Sequence, residues 1–315
     1  MPDILTLTPN PALDLSTSTP RVVPTDKLRC AAPSVDAGGG GINVARVVSR
    51  LGGEAVAAFA AGGANGARLR ALVEAEGIAA LPVAIAEETR QSFSVTEEST
   101  GAQFRFVLPG PALAPEEEAA LARLPETLDP APRWLVLSGS LPRGVSEGFV
   151  PAVAAAAARI GARLVADGPA GLIGRCRGAF VVKPNLAALE DLAGRPLPSA
   201  AERVAAARAL IAEGRSEAVL VSLGGDGALL VTAGEAWSLG SPAVPLRSAI
   251  GAGDSMVGAM VLALSRGLPL PDAAAEGAAA GAATIMTPDT DLCHPEDVRR
   301  LRAGVTVRRW EGEAA

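Results

Sequence analysis

Ile250-Gly251-Ala252-Gly253-Asp254-Ser255, followed directly by MVGAMVLAL at 256–264, is the stretch on which the reading of this chain turns. Glycines let the backbone turn tightly and bring successive N–H groups to one point at a helix start. Unsatisfied amides and the positive end of the helix dipole make such a point attractive to anions. The carboxylate of Asp254 has two readings there. It can cap the apolar helix that follows, a role Asp favours. It can also take a hydroxyl proton while the amides stabilise charge on a transferred phosphoryl group. The stretch alone leaves both open.

Working outward, short apolar runs alternate with longer helical patterns. Residues 4–8, 55–61, 134–138, 163–167, 180–183 and 218–222 read as strands, mostly continuous apolar runs as expected for a sheet covered on both faces. Helices are predicted over 43–51, 67–76, 115–123, 146–160, 201–213, 255–266 and 271–285. This alternation predicts a three-layer α/β fold with a doubly wound, mostly parallel sheet. A hairpin at 228–232 and 236–239 would end that sheet in antiparallel strands. Two stretches break the pattern. Residues 13–36 have no helical period, and SFSVTEESTGAQFRFVL at 92–108 holds two period-2 runs around a Ser-Thr-Gly turn. We expect these excursions, about 13–36 and 89–108, to pair into a small β-sheet lid on a single domain spanning 1–315. Exposed apolar residues there (Phe93, Val95, Phe104, Phe106) invite pairing with a second copy.

Composition removes several classes. The chain has 315 residues, 49% hydrophobic and 20% charged, with one histidine. That is too apolar for intrinsic disorder, yet no run approaches the ~20 apolar residues of a membrane span. The start MPDILTLTPNP lacks a basic region ahead of a long apolar one, so no secretory leader is expected. Cys30, Cys176 and Cys293 form no CxxC pair and suit a reducing cytoplasm. A net charge of −6 argues against nucleic acid as a partner. With His294 the sole imidazole, a general base is expected to be a carboxylate. Of 28 basic residues only Lys27 and Lys183 are lysines.

Three further clusters carry chemistry. Ala37-Gly38-Gly39-Gly40-Gly41-Ile42-Asn43-Val44-Ala45 opens a helix with four glycines, an entropic expense that makes sense where backbone must lie against a ligand. It lacks both the GxGxxG spacing and the Lys-Ser/Thr ending of a P-loop. Asn43 there can cap the helix or meet a ligand hydroxyl. Val181-Val182-Lys183-Pro184-Asn185 ends a buried strand in polar residues, where α/β sheets bind ligands. Val221-Ser222-Leu223-Gly224-Gly225-Asp226-Gly227-Ala228 is a strand, a glycine turn and a second strand; alone it reads as an ordinary hairpin loop.

Together and in this order, GGGGINVAR, KPN, SLGGDG and GAGD resemble the PfkB/ribokinase carbohydrate kinases over nearly the whole chain. LTPNPALDLS at 7–16, Lys27-Leu28-Arg29-Cys30, Thr89-Arg90-Gln91, QFRFVLPG at 103–110, Ser138-Gly139-Ser140-Leu141-Pro142 and GAGDSMVGAM resemble its minor, ribokinase-type 6-phosphofructokinase branch. The resemblance implies an ATP- and Mg²⁺-dependent kinase phosphorylating the primary hydroxyl of fructose 6-phosphate. By that resemblance Asp254 is the base, with Gly251, Ala252 and Gly253 as the anion hole. Asp14, Gly39, Gly40 and Asn43 hold sugar hydroxyls, and Lys27, Arg29 and Arg90, with Ser140 nearby, clamp the sugar phosphate. Lys183, Asn185, Ser222, Gly224, Gly225 and Gly227 line the ATP site. Family members close the lid over substrate and commonly dimerise through it, so a homodimer is expected.

Two departures stand out. The family carries Asn-x-x-Glu after the Lys-Pro to organise Mg²⁺ waters, and here the fourth position is Ala188. Glu190 lies roughly 200° further around a helix and faces away; Asp191 returns to the same face one turn higher. A weaker Mg²⁺ requirement or reduced turnover is expected. The monovalent cation that many relatives bind finds candidate backbone oxygens at Ser248 and Ile250, but the later loop, Thr287-Pro288-Asp289-Thr290-Asp291, is unusually acidic, so K⁺ activation stays open. 1-Phosphofructokinases and tagatose-6-phosphate kinases usually place a lysine where this chain has Gly40, which favours fructose 6-phosphate over their substrates. A weakly active regulatory sugar-phosphate and nucleotide binder is the reading from another class.

Overall fold

The computed structural model describes residues 3–312, so the first two and last three positions of the single-domain span, with the start of the leader reading at Met1-Pro2, lie outside it. The strands are β1 (Ile4–Thr8), β2 (Ala12–Thr19), β3 (Ser34–Gly38), β4 (Ala55–Ala61), β5 (Ala79–Ala84), β6 (Arg90–Glu97) and β7 (Gln103–Val107). They continue with β8 (Trp134–Ser138), β9 (Arg163–Asp167), β10 (Ala179–Lys183), β11 (Ser216–Ser222), β12 (Ala228–Thr232), β13 (Ala236–Leu239) and β14 (Val307–Arg309). The helices are α1 (Gly40–Arg50), α2 (Gly63–Ala75), α3 (Pro115–Arg123), α4 (Phe149–Arg159), α5 (Ala170–Ile173), α6 (Leu186–Ala193), α7 (Ala200–Ala212), α8 (Ala252–Ser265), α9 (Leu270–Ile285) and α10 (Pro295–Arg302).

Among the described residues, ten strands form one sheet in the order β14-β13-β12-β11-β10-β9-β8-β1-β4-β5. From β11 through β5 its pairings are parallel, and β12 to β14 add an antiparallel edge, as the hairpin signal predicts. Alternate strand residues feed opposite cores. Ile4, Ala57, Val136 and Val165 pack with α1, α8 and α9 on one face. Leu5, Ala58, Leu137 and Ala166 pack with α3, α4 and α7 on the other. Both faces are covered, which is why the central strands read as unbroken apolar runs.

The two irregular stretches do pair. A separate sheet runs β3-β2-β6-β7, with β2 parallel to β6 over the eight pairs Ala12↔Arg90 to Thr19↔Glu97. β5, β14 and the short helices α5, α6 and α10 carry no prediction above, being too brief or too mixed for a periodic signal. Several helices also start earlier than their patterns do. α1 takes in Gly40 and Gly41, and α8 takes in Ala252 to Asp254, because close approach to neighbouring backbone offsets the glycines' poor helix propensity.

The chain reverses direction about β1, which pairs with β4 on one side and β8 on the other. In open α/β sheets ligands bind beyond the carboxyl ends of the strands at such a switch point. Thr8, Ser138, Asp167, Lys183 and Ser222 all end strands along that edge.

Candidate active site

Gly251, at φ 74°, is the residue before α8, and its left-handed backbone turns the chain sharply into the helix. Asp254 is therefore the third helical residue, and the capping reading fails: its side chain makes no cap hydrogen bond. Instead its Oδ2 accepts from Nδ2 of Asn43 at 2.8 Å. Burial is the main cause that pushes this carboxyl up to about 7; Asp167 adds to it, and the Asn43 hydrogen bond and Lys183 oppose it. Asn43 lies inside α1 and caps nothing, because Gly39 holds the cap position.

The glycine run is tight. A Cβ on Gly40 would come within 2.3 Å of Ser138 Oγ and 2.8 Å of the Gly139 amide nitrogen. A Cβ on Gly39 would meet the Thr8 methyl at 2.7 Å. Only bare backbone lets α1 start between the ends of β1 and β8. Asp14 stands across from Asp36 in the β2–β3 pairing and beside Ser92 of β6. Its carboxyl is pushed up to about 6 by burial, which outweighs the pull of Arg90 and Arg105. Asp14, Ser92, Arg105, Ile250 and Thr290 line a narrow cleft between lid and body.

Arg90 donates to the carbonyls of Pro11, Leu108 and Asn10 at 3.2–3.3 Å, so its guanidinium ties the start of β6 to the segments before β2 and after β7. Ser140 Oγ accepts from Asn10 Nδ2 at 2.9 Å nearby. Lys27 and Arg29 fall elsewhere: both are exposed on the connector between β2 and β3, with no side-chain hydrogen bond to Arg90 or Ser140 among the described residues.

At the start of α8, a cavity of about 310 Å³ is lined by Asn185, Ser222, Gly224, Gly227, Ala252, Gly253 and the small residues of α9, Ala278, Gly281 and Ala282. Gly225 does not line it; it is exposed on the same turn. Lys183 sits behind the cavity wall. Its Nζ pairs with Asp167 Oδ1 at 2.8 Å, and a Cβ on Gly253 would approach that nitrogen to 3.2 Å. Asp167 in turn accepts from Ser138 Oγ at 3.0 Å. Asp167 and Ser138 were missed as site residues, although an acid closing the apolar run at 163–167 is a signal that was available.

Asn185 caps α6, its Oδ1 accepting from the Ala188 amide at 2.8 Å. Ala188 is buried, Glu190 turns back to accept from the Leu197 amide, and Asp191 is exposed, so neither acid replaces the missing Glu. Ser248 Oγ bridges, donating to the Asp289 carbonyl at 2.7 Å and accepting from the Ile250 amide at 3.2 Å. Arg50 and His294 both bind Asp291, and Leu292 packs over Gly251. Thr290 donates to Asp36 at 2.7 Å, tying this loop to the lid. Cys293 is buried beneath it.

A model of the pfkB family carbohydrate kinases matches residues 11–297. An ATP-dependent 6-phosphofructokinase isozyme 2 of Mycobacterium tuberculosis is 44% identical over 302 residues, 95% of this chain and 89% of that protein. Its namesake in Escherichia coli is 39% identical over 303 residues, 95% and 98% of the two chains. Structures of the E. coli phosphofructokinase-2 in complex with potassium and with fructose-6-phosphate superpose at TM-scores of 0.90 and 0.88, with 38% identity over 96% of this chain and 99% of that one. A tetrameric inhibited form of the same E. coli protein superposes at 0.88, again at 38% identity and over the same shares of the two chains. This chain belongs to the PfkB family of carbohydrate kinases and is an ATP-dependent sugar kinase.

Proposed function

We propose that this kinase transfers the terminal phosphoryl group of ATP to the primary hydroxyl of fructose 6-phosphate, giving fructose 1,6-bisphosphate and ADP. The observation that carries the reading is the position of Asp254. It directly follows Ala252 and Gly253, which line the cavity, and stands four residues after Ile250, which lines the cleft under the lid; Asn43 bonds its Oδ2. Oδ1 then takes the proton as the sugar oxygen attacks phosphorus. The first amides of α8, at Gly251, Ala252 and Gly253, face the transferring charge at the positive end of the helix. Lys183, paired with Asp167 at 2.8 Å, supports them from the side of Gly253. Sugar hydroxyls meet Asp14, the Gly39–Gly40 backbone and Asn43, and the sugar phosphate meets Arg90 and Ser140. Arg105 adds a cation that the sequence reading passed over. Lys27 and Arg29 join that clamp when the connector between β2 and β3 closes over the cleft. Lid closure excludes water from the phosphoryl group.

The nucleotide cavity fits ATP: its glycine and alanine walls let phosphates and base lie against backbone. Asn185, Ser222, Gly224 and Gly227 would hold it. Among the described residues no cluster of three acids, histidines or cysteines is placed to hold a metal. Mg²⁺ fits instead as the companion of ATP, which it binds through phosphate oxygens while keeping several waters. K⁺ would lie at the carbonyls of Ser248 and Ile250. We infer a homodimer built lid to lid in the cytoplasm. The apolar face with Phe93, Phe104, Phe106 and Val107 is exposed, and no helix among the described residues is long and apolar enough to cross a membrane.

A second reading, a weakly active regulatory binder, draws on Ala188 alone. 1-Phosphofructokinase and tagatose-6-phosphate kinase activities are disfavoured by Gly40, whose site has no room for a side chain. A coupled ADP-release assay over fructose 6-phosphate, fructose 1-phosphate, tagatose 6-phosphate and fructose tests all three. Turnover greatest with fructose 6-phosphate supports the proposal; sugar-phosphate binding without turnover favours the binder.

A further inference from the structure

Helix α1 carries a buried charge to which the chemistry above gives no task. Arg46 lies one turn beyond Asn43 on the same helix face and is only 5% exposed. Its Nε faces the Glu76 carboxylate, 2.7 Å from Oε1 and 3.0 Å from Oε2. Its Nη1 donates to Asn43 Oδ1 at 3.4 Å. If filling space were the only demand, a Met of similar length would serve better, because desolvating a guanidinium is costly and a buried ion pair rarely repays it. The placement therefore calls for a function.

An asparagine amide has one accepting and one donating end, and a guanidinium only donates. With Arg46 beside it, Asn43 must turn Oδ1 toward the guanidinium, which aims Nδ2 at Asp254. The reversed amide would set oxygen against a carboxylate and NH₂ against a cation, losing both hydrogen bonds. We propose that Arg46 is a positioning residue that locks the Asn43 amide as a donor to Asp254 Oδ2, leaving Oδ1 as the oxygen that receives the substrate proton. This rests on Asp254 acting as the base. Locking the donor end toward Asp254 also favours its ionised form, since a protonated acid would need the acceptor end.

The test is Arg46→Lys, which keeps the charge and the Glu76 pair but has no second arm to reach Asn43. Two readouts are taken on the full chain: kcat with fructose 6-phosphate and ATP from pH 5.5 to 9, and the ¹³C carboxyl titration of Asp254 without substrate. The expected result is a rise of about half to one pH unit in both the acid limb and the titration, with kcat at pH 7 down about two- to fivefold. KM for ATP stays put. Arg46→Met shows the larger change if it folds. A folded Arg46→Lys whose Asp254 titration matches the parent's overturns the inference, whatever the turnover. Failure of the proposed function would show separately, as a parent enzyme without turnover on fructose 6-phosphate.

Discussion

Lys183 Nζ sits 2.8 Å from Asp167 Oδ1, with both side chains nearly closed to solvent, and a Cβ on Gly253 at the start of α8 would come within 3.2 Å of that nitrogen. One of the chain's two lysines is thereby tied to the end of the neighbouring strand. Asp167→Asn leaves the ammonium buried and unpaired, which costs about 3 kcal/mol or more of stability. Lys183→Arg must fit a planar fork into a slot shaped for a point charge, and both stability and rate fall. Urea unfolding checks the first change; wild-type midpoints and m-values in Asp167→Asn would contradict it.

Gly40→Ala places a methyl 2.3 Å from Ser138 Oγ and 2.8 Å from backbone nitrogen. The start of α1 must shift, carrying Asn43 away from Asp254, and kcat/KM drops by about 10²-fold. Gly171→Ala, on α5 with nothing within 4 Å of the added carbon, is the control and leaves activity unchanged. Steady-state kinetics on both variants decide it.

The raised carboxyl of Asp254 gives activity and stability opposite pH trends. A base must be ionised, so kcat climbs through an acid limb near pH 7. A carboxyl whose folded pKa is above its unfolded value binds protons more tightly in the folded state. Its contribution is present below the unfolded value of 3.8 and is lost as pH rises to about 7. Asp14, pushed up to about 6, acts in the same sense over a lower window. Removing the carboxyl in Asp254→Asn should flatten the fall in unfolding free energy between pH 5 and 7.5, measured by denaturant titration.

Much of this was readable in the chain. The apolar runs at 4–8 and 134–138 coincide with β1 and β8, because strands buried on both faces have little room for polar residues. The hairpin around the Ser-Thr-Gly turn became β6 and β7 for the same local reasons. That the two excursions pair was legible, but the parallel register of β2 with β6 was not, since it joins segments 78 residues apart with no turn between them to set it. Asp254 and Asn43 were both singled out, but their hydrogen bond spans 211 residues. Asp167 and Arg46 were passed over because each looks like an ordinary strand or helix residue until the fold brings a partner to it.

Ala188→Glu restores the acid that the family carries after the Asn at the start of α6. Ala188 is buried in the first turn of α6, three residues after Asn185, which lines the nucleotide cavity. The rate at limiting Mg²⁺ rises in the variant and the rate at saturating Mg²⁺ changes less. Unchanged Mg²⁺ dependence would show that this position has no part in metal handling.

Phe93 and Phe106 stack at 4.8 Å on the lid's exposed face. Phe106→Asp breaks that face without touching the core, and light scattering should find a monomer in place of the proposed dimer.

The central claim is that Asp254 removes the proton from a sugar-phosphate hydroxyl. Its most direct test is Asp254→Asn in the coupled ADP-release assay with fructose 6-phosphate, alongside calorimetric titration of the sugar phosphate into the same variant. Our account predicts turnover reduced by about 10³-fold or more with binding largely intact. A variant that keeps a tenth of the parent's kcat would contradict it.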